Sequence, residues 1–437
     1  MSGSSLEKLL PEQDFAVLLT SQSAIFRRLS ACLMEAEASS WTKRHFYQLA
    51  YEAEELESFL DDYGARCNRN YHGFTEQIAS LRGFALAGFA LQHLAGRADG
   101  YRVAEKMRSD QHDELAKETA EARLFICSCL TKLLAAAEKE LAGLGLDPVS
   151  GTYPVESLES VEPRFRLPHN VGQEDLVDEE HHIAEVASKF LQANSMLEDL
   201  GVHRLETETE RREFMAKHCS EEQARVYEAT VHNLQSAYDT YIKNTVLEAR
   251  DHRLVLLRGH VSMTLHLLEV ATLLTHFIER HEGETRQHEG ALGIAKLVDA
   301  DDVRDVTLNI LLAWAVRVMA NGREIAEDLL PNYINLQELE VELSDDLMLH
   351  ARPASLIVSI VNHYGTPVEM EVQDSSATCN AASILELMVI VGSNPDSRKF
   401  RFRGDAKPLR DIQLLFENDL GERGLDDLPP NLGYLRI

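Results

Sequence analysis

Apolar residues recur at three- and four-residue steps from about Asp14 to Leu146, as at Leu124, Cys127, Leu130, Leu133 and Leu134. This spacing predicts one amphipathic helix after another. Proline and glycine then accumulate between Gly143 and Gln173 (Pro148, Gly151, Pro154, Pro163, Pro168, Gly172), which predicts a linker or irregular crossover. Helical periodicity resumes near Asp178 and runs to about Asp328, ending at Leu329-Leu330-Pro331, because proline cannot continue a helix interior. Beyond Asn335 the period changes to two. Alternation appears from Leu336 to Leu343, in Val368-Glu-Met-Glu-Val372 and in Lys399-Phe-Arg-Phe-Arg403. Period-two segments interleaved with short helical ones predict a small α+β domain. The expected organisation is a helical domain over 1–147, a linker over 148–177, a second helical domain over 178–335 and an α+β domain over 336–437.

The two helical regions share a pattern. Tyr51-Glu52-Ala53 and Leu81-Arg82-Gly83 recur as Tyr227-Glu228-Ala229 and Leu257-Arg258-Gly259, thirty residues apart in each copy. An apolar helical run follows the Leu-Arg-Gly both times, and Lys139-Glu-Leu-Ala142 has a counterpart in Arg323-Glu-Ile-Ala326. Equal spacing points to a tandem duplication, with two related helical bundles about a pseudo-two-fold axis. The Arg-Gly pairs are read as helix punctuation by glycine, or else as arginines at helix starts able to bind an anion.

Charge narrows the partners. The chain has 72 acidic and 43 basic residues, a formal net charge of -29, which argues against nucleic acid and anionic membrane surfaces. The most apolar window, Leu254 to Phe277, is interrupted by Arg258, His260, His266 and Glu269, so it is read as a buried helix and no membrane insertion is expected. No secretory signal is visible at the start, and the six cysteines lack metal-ligand spacing or a dense framework. Reduced thiols in a cytoplasm are the expectation.

Candidate chemistry concentrates at Leu349-His350-Ala351-Arg352-Pro353-Ala354-Ser355. A strand signal ends near Leu343, a polar turn Ser344-Asp345-Asp346 follows, and Pro353 falls where proline suits the first turn of a helix. His350 then stands just before a helix N-terminus, with Arg352 in the first turn. Unpaired N–H groups and a partial positive charge make such a terminus an anion site. A guanidinium there adds a forked donor suited to phosphate oxygens. An imidazole so placed can attack phosphorus and leave the phosphoryl group on those donors. Read blandly, His350 is a surface histidine before a helix.

Leu-His-Ala-Arg-Pro-Ala resembles the active-site segment of HPr, the histidine phosphocarrier of the bacterial phosphoenolpyruvate-dependent sugar phosphotransferase system. The similarity covers about Leu336 to Gly424 in order: a helix from Pro353 to His363, a strand pair from Val368 to Cys379 and Asn380-Ala-Ala-Ser383 opening a second helix. A strand at Phe400 to Arg403, a helix from Pro408 and the ending Leu420-Gly421-Glu422 complete it. The resemblance implies an open-faced α+β sandwich in which His350 accepts a phosphoryl group from enzyme I and passes it to a sugar-permease component or regulatory acceptor. It implies that Arg352 stabilises the phosphorylated imidazole and that Ser383 is a regulatory phosphorylation site. A serine opening a helix is also simply an N-cap. Met348 departs from the family's usual glycine, and Asp374–Thr378 and Ser393–Ser397 look about two residues longer than in ordinary members.

Histidines and carboxylates are dense in the helical part: Glu179-Glu-His-His182, His252 with Glu248, His260, His266 with Glu269, His276 with Glu279, and His281. Paired helices can hold metals through inward Glu and Glu-x-x-His sets, but most of these run His-x-x-Glu. They are read as solvated or interfacial, and neither a metal nor a cofactor is expected. The expected protein is therefore a multidomain cytoplasmic phosphocarrier or regulator of a phosphotransferase system, all-α bundles followed by an HPr-type domain, with homodimerisation left open. The alternatives are a non-phosphorylated HPr-like scaffold and a helical metal-binding protein with an HPr-like regulator.

Overall fold

The computed structural model describes residues 9–147, 149–155, 158–159, 167, 179–282, 293–344 and 347–436. Most of the expected linker 148–177, the helix onset at Asp178 and Asp345-Asp346 of the polar turn lie outside the described residues. The chain divides into two compact units. One comprises Met1–His169, Leu197–His232 and Gly259–Asn321, the other Asn170–Met196, Asn233–Arg258 and Gly322–Ile437.

The helical part contains α1 (Glu12–Gln22), α2 (Ala24–Glu35), α3 (Lys43–Asp62), α4 (His72–Tyr101), α5 (Ser109–Gly143), α6 (Glu179–Glu198), α7 (Glu208–His218), α8 (Glu221–Tyr241), α9 (Val246–Arg250) and α10 (His252–Glu282). A last run joins α11 (Ala300–Asp305) through the π-helical turn Val306–Leu312 to α12 (Ala313–Tyr333). In the first unit Phe26, Phe46, Leu81, Phe84 and Leu130 are all but fully buried, and Phe84 meets Phe277 of α10 with ring centroids 4.8 Å apart. α10 is long and apolar enough to cross a membrane, but 78% of its apolar window is buried within the protein. None of the six cysteines is in a disulfide.

Three local expectations change. Gly83 and Gly259 punctuate nothing: each lies inside a long helix, α4 or α10. Arg82 and Arg258 are likewise helix-interior, held by Glu57 and Asp239, each at 2.7 Å. Pro331 does not stop its helix, which runs on to Tyr333. His252 and Glu248 do not share a helix, because the chain breaks at Asp251 between α9 and α10.

The second unit carries the α+β part: β1 (Leu336–Glu342), α13 (Ala351–Tyr364), β2 (Val368–Val372), β3 (Ala377–Asn380), α14 (Ile384–Ser393), β4 (Lys399–Asp405) and α15 (Ala406–Glu417). The sheet is antiparallel in the order β1-β4-β2-β3. Alternation sorts its faces. Val368, Met370, Val372, Phe400 and Phe402 are buried in one core with Ile357, Ile360, Ile412 and Leu415. On the other face Arg401 lies opposite Glu340 and Glu371, and Arg403 opposite Glu338 and Glu369. Arg401 donates to Glu340 at 2.8 Å and to Glu371 at 3.2 Å.

Two features beyond the sheet steady this part. Asp405 ends β4, caps α15 by accepting from Ala406 N–H, and also accepts from Asn335 N–H. Burial opposes its ionisation, yet His181 of α6 and these amides hold the carboxyl below its ordinary value. After α15 the chain folds back, burying Leu420, Leu428, Leu432 and Leu435. Tyr434 stacks on His363 at 3.8 Å, and its hydroxyl joins that of Tyr364 on the buried Asp411 carboxylate.

The two Leu-Arg-Gly glycines differ in what surrounds them. A Cβ on Gly259 would meet the Tyr101 carbonyl oxygen at 1.8 Å, whereas one on Gly83 would meet nothing within 4 Å. Gly259→Ala is expected to destabilise the protein by at least about 2 kcal/mol, because backbone must move. Gly83→Ala is expected to stabilise it by about 0.5–1 kcal/mol, through helix propensity. Urea unfolding followed by circular dichroism checks both, and equal effects would refute the distinction.

Candidate functional site

His350 is the N-cap of α13, with extended backbone (φ -123°, ψ -172°), and its carbonyl starts the helix by accepting from Ala354 N–H at 3.0 Å. The ring repeats the capping role: Nδ1 accepts from Arg352 N–H at 3.4 Å, a long bond. Pro353 has no N–H, so Ala351 and Arg352 carry the amides of the first three helical positions. The other ring nitrogen, Nε2, lies 3.0 Å from Glu422 Oε1. The Arg352 N–H bond makes Nδ1 an acceptor, which puts the ring hydrogen on Nε2. Nε2 faces Glu422 at ion-pair distance, but Glu422 Oε1 accepts no hydrogen bond. The His350 side chain is 51% exposed.

Arg352 is anchored rather than free, donating from its guanidinium to the Gly421 carbonyl at 3.1 Å. That carbonyl is aimed by a run of left-handed residues, Asp419 (φ 53°), Leu420 (φ 55°) and Gly421 (φ 73°). Two of them are not glycine, so the turn costs conformational energy, and the fully buried Leu420 side chain helps to hold it. One segment thus supplies partners to both His350 and Arg352. Glu422 entered the sequence reading only as part of a family-like ending. Its contact with His350 spans seventy-two residues, and no local pattern signals it.

Ser383 is the N-cap of α14, its hydroxyl accepting from Glu386 N–H at 3.3 Å. Glu386 reaches back to accept from Asn380 N–H at 2.9 Å, so the opening is doubly closed. Met348 does not take a left-handed backbone, so the missing glycine costs nothing there. Its exposed side chain lines a cleft of about 380 Å³ together with His350, Met388, Val391 and the 394–398 loop. That loop is one of the two segments that look longer than in ordinary HPr-like chains. Ile384, Leu385 and Val389 of α14 are also exposed.

The histidines of the helical part find separate partners. His266 Nδ1 pairs with Glu269 at 2.7 Å, but His276 pairs with Glu221 at 2.8 Å rather than with Glu279. His182 stacks on Tyr241 at 4.2 Å, and His181 stands 3.6 Å from Asp405. Among the described residues no three histidine, cysteine or acidic side chains converge as a metal site would need.

Residues 337–405 match the family model described as "PTS HPr component phosphorylation site". The match takes in β2, β3, β4 and all of β1 but Leu336, with His350, Arg352 and Ser383, and stops before α15. These residues are an HPr-type segment that follows a long helical region. No curated protein and no solved structure matches the chain.

Gly421 tests how this site is held. Gly421→Ala places a Cβ at positive φ and 3.1 Å from Leu356 Cδ1. The expected loss is about 1–2 kcal/mol of stability. Denaturant unfolding measures it, and an unchanged midpoint would show that the turn is not constrained as described.

Proposed function

We propose that this chain is a cytoplasmic phosphohistidine carrier or regulator of a phosphotransferase system, with His350 as the phosphoryl acceptor. The observation that carries the reading is the pairing of the two ring nitrogens: Nε2 at Glu422 and Nδ1 at the amide end of α13. In the proposed step, the Nδ1 lone pair attacks the phosphorus of a phosphohistidine on enzyme I. A new P–N bond forms, the donor's P–N bond breaks, and its imidazole leaves with the electron pair. The Arg352 N–H exchanges a weak bond to Nδ1 for a phosphoryl oxygen, and the Ala351 N–H and Arg352 guanidinium add donors. Ring charge that develops at Nε2–H is compensated by Glu422. Transfer onward to a sugar-permease component or another acceptor reverses these events, and the helical region is the part whose binding would respond.

The surroundings suit a protein donor. Exposed Met348, Ile384, Leu385 and Val389 offer apolar surface in the same domain as His350. Ser383 is proposed as a second, regulatory phosphorylation site. A phosphate there would sit at a helix N-terminus while adding about -1.5 to -2 charge beside Ile384 and Leu385.

Incubating the full chain with phosphoenolpyruvate and enzyme I of the same host should yield one acid-labile phosphate per chain, absent from a His350→Ala variant. No label overturns the proposal in favour of an HPr-like scaffold, and equal label in that variant overturns His350 as the acceptor. Glu422→Gln should keep His350 labelled but slow labelling about two- to fivefold, the size of a part-exposed ion pair. A rate equal to the parent's would remove Glu422 from the mechanism.

A further inference from the structure

A second group of nitrogen donors lies in the first unit, unrelated to His350. The first turn of α3 contains no acidic residue; Lys43 and Arg44 stand there instead, against the partial positive charge of the helix end. The Lys43 ammonium donates to His93 Nδ1 at 2.7 Å and lies over the Phe89 ring, 4.6 Å from its centroid. Arg97 is one turn beyond His93 on the same face of α4 and is exposed. The His266 ring stands edge-on to His93 at 4.7 Å, and its own Nδ1 is held by Glu269. Among the described residues, no carboxylate lies within ion-pair distance of Lys43 or Arg97.

This arrangement is costly without an anion. Burial, Lys43, His266 and Arg97 together push His93 down to about 4, against the weaker pull of Glu269. Burial and Arg97 likewise lower Lys43. In a chain of net charge -29, counter-carboxylates are plentiful, yet the one that acts on His93, Glu269, is held by His266, and none pairs with Lys43 or Arg97. A structural ion pair would have filled the spot with Asp or Glu, as at Arg82 and Arg258.

We propose that Lys43, His93 and Arg97 form a binding site for the phosphate group of a small phosphorylated metabolite. Lys43 supplies a point charge and Arg97 a planar fork for two oxygens. Phe89, with Tyr47 at 6.1 Å between centroids, forms an aromatic ledge beside the charges for the organic part. A dianion fits better than a carboxylate, because two cations and an imidazole must be satisfied together. Its arrival favours the protonated form of His93, which turns the ring from acceptor into a further donor.

The test uses the full chain, with calorimetric titration of inorganic phosphate and of phenyl phosphate at ionic strength matched with chloride. The parent protein should bind one equivalent, phenyl phosphate more tightly, with the His93 ring resonances moving in NMR spectra. Lys43→Met and Arg97→Gln should each weaken binding about tenfold, one charge-assisted contact apiece, while Arg352→Gln leaves it unchanged. Arg97 is exposed, so its replacement probes the site without endangering the fold. Absence of binding above the chloride control overturns the proposal. So does binding lost in Arg352→Gln but kept in the other two variants, which would place the anion at His350. Co-sedimentation with phosphatidic acid vesicles that depends on Lys43 would make the ligand a lipid headgroup and overturn the small-metabolite assignment.

Discussion

Two phenylalanines on one strand hold the α+β part together. β4 pairs with β1 on one side and β2 on the other, and Phe400 and Phe402 both point into the core. Burying a side chain of this size contributes about 1.5–3 kcal/mol relative to leaving it exposed. The arginines between them, Arg401 and Arg403, form exposed cross-strand ion pairs worth less than about 1 kcal/mol each. Their contribution lies in register. A slip of one residue would bury the arginines and expose the phenylalanines, so core and charge grid specify the same pairing. With the sheet fixed, α13 and α15 have one face to pack on, and the start of α13 is brought against the turn after α15.

At that junction His350 has one observed role and one proposed. As an N-cap it satisfies an amide that the helix leaves over, and in the proposed phosphorylation it would release the same amide. The 3.4 Å length of the bond from Arg352 N–H resolves the conflict, since a long neutral bond is cheaply exchanged for a charge-assisted one. Arg352 is in the same position: the Gly421 carbonyl occupies its guanidinium with a neutral acceptor. The strained Asp419-Leu420-Gly421 turn is therefore the feature that keeps both groups poised, and it depends on buried leucines rather than on polar contacts at the site itself.

What could be read from the sequence follows the range of the interactions. The alternation at Lys399–Arg403, the helix opening at Pro353 and the capping at Ser383 are settled within a few residues, and each is written locally. The HPr-type segment was legible for that reason. Glu422 at His350, Tyr434 with Tyr364 on Asp411, and His181 at Asp405 join segments whose meeting no local pattern encodes. The glycines show the same limit from another side. Gly83 and Gly259 sit in the same tripeptide, yet only one lies under a carbonyl oxygen. Periodicity also overreached where a break intervened: His252 and Glu248 have the right spacing, but Asp251 ends the helix between them. His266 with Glu269 and His276 with Glu279 have the same spacing too. Only the first pair formed, because Glu221 offered His276 a partner from another helix.

Net charge and local charge make different selections. A surplus of acidic residues gives the chain a net charge of -29, which repels polyanions at long range. Within a Debye length of about 8 Å the neighbouring side chains dominate instead. The end of α13 and the Lys43–His93–Arg97 group both gather nitrogen donors at that scale, though they are built differently. The first depends on backbone amides with a guanidinium anchored on the Gly421 carbonyl, as the proposed covalent phosphorylation would need. The second depends on side chains on α3 and α4 beside an aromatic ledge, suited to reversible binding of a whole molecule.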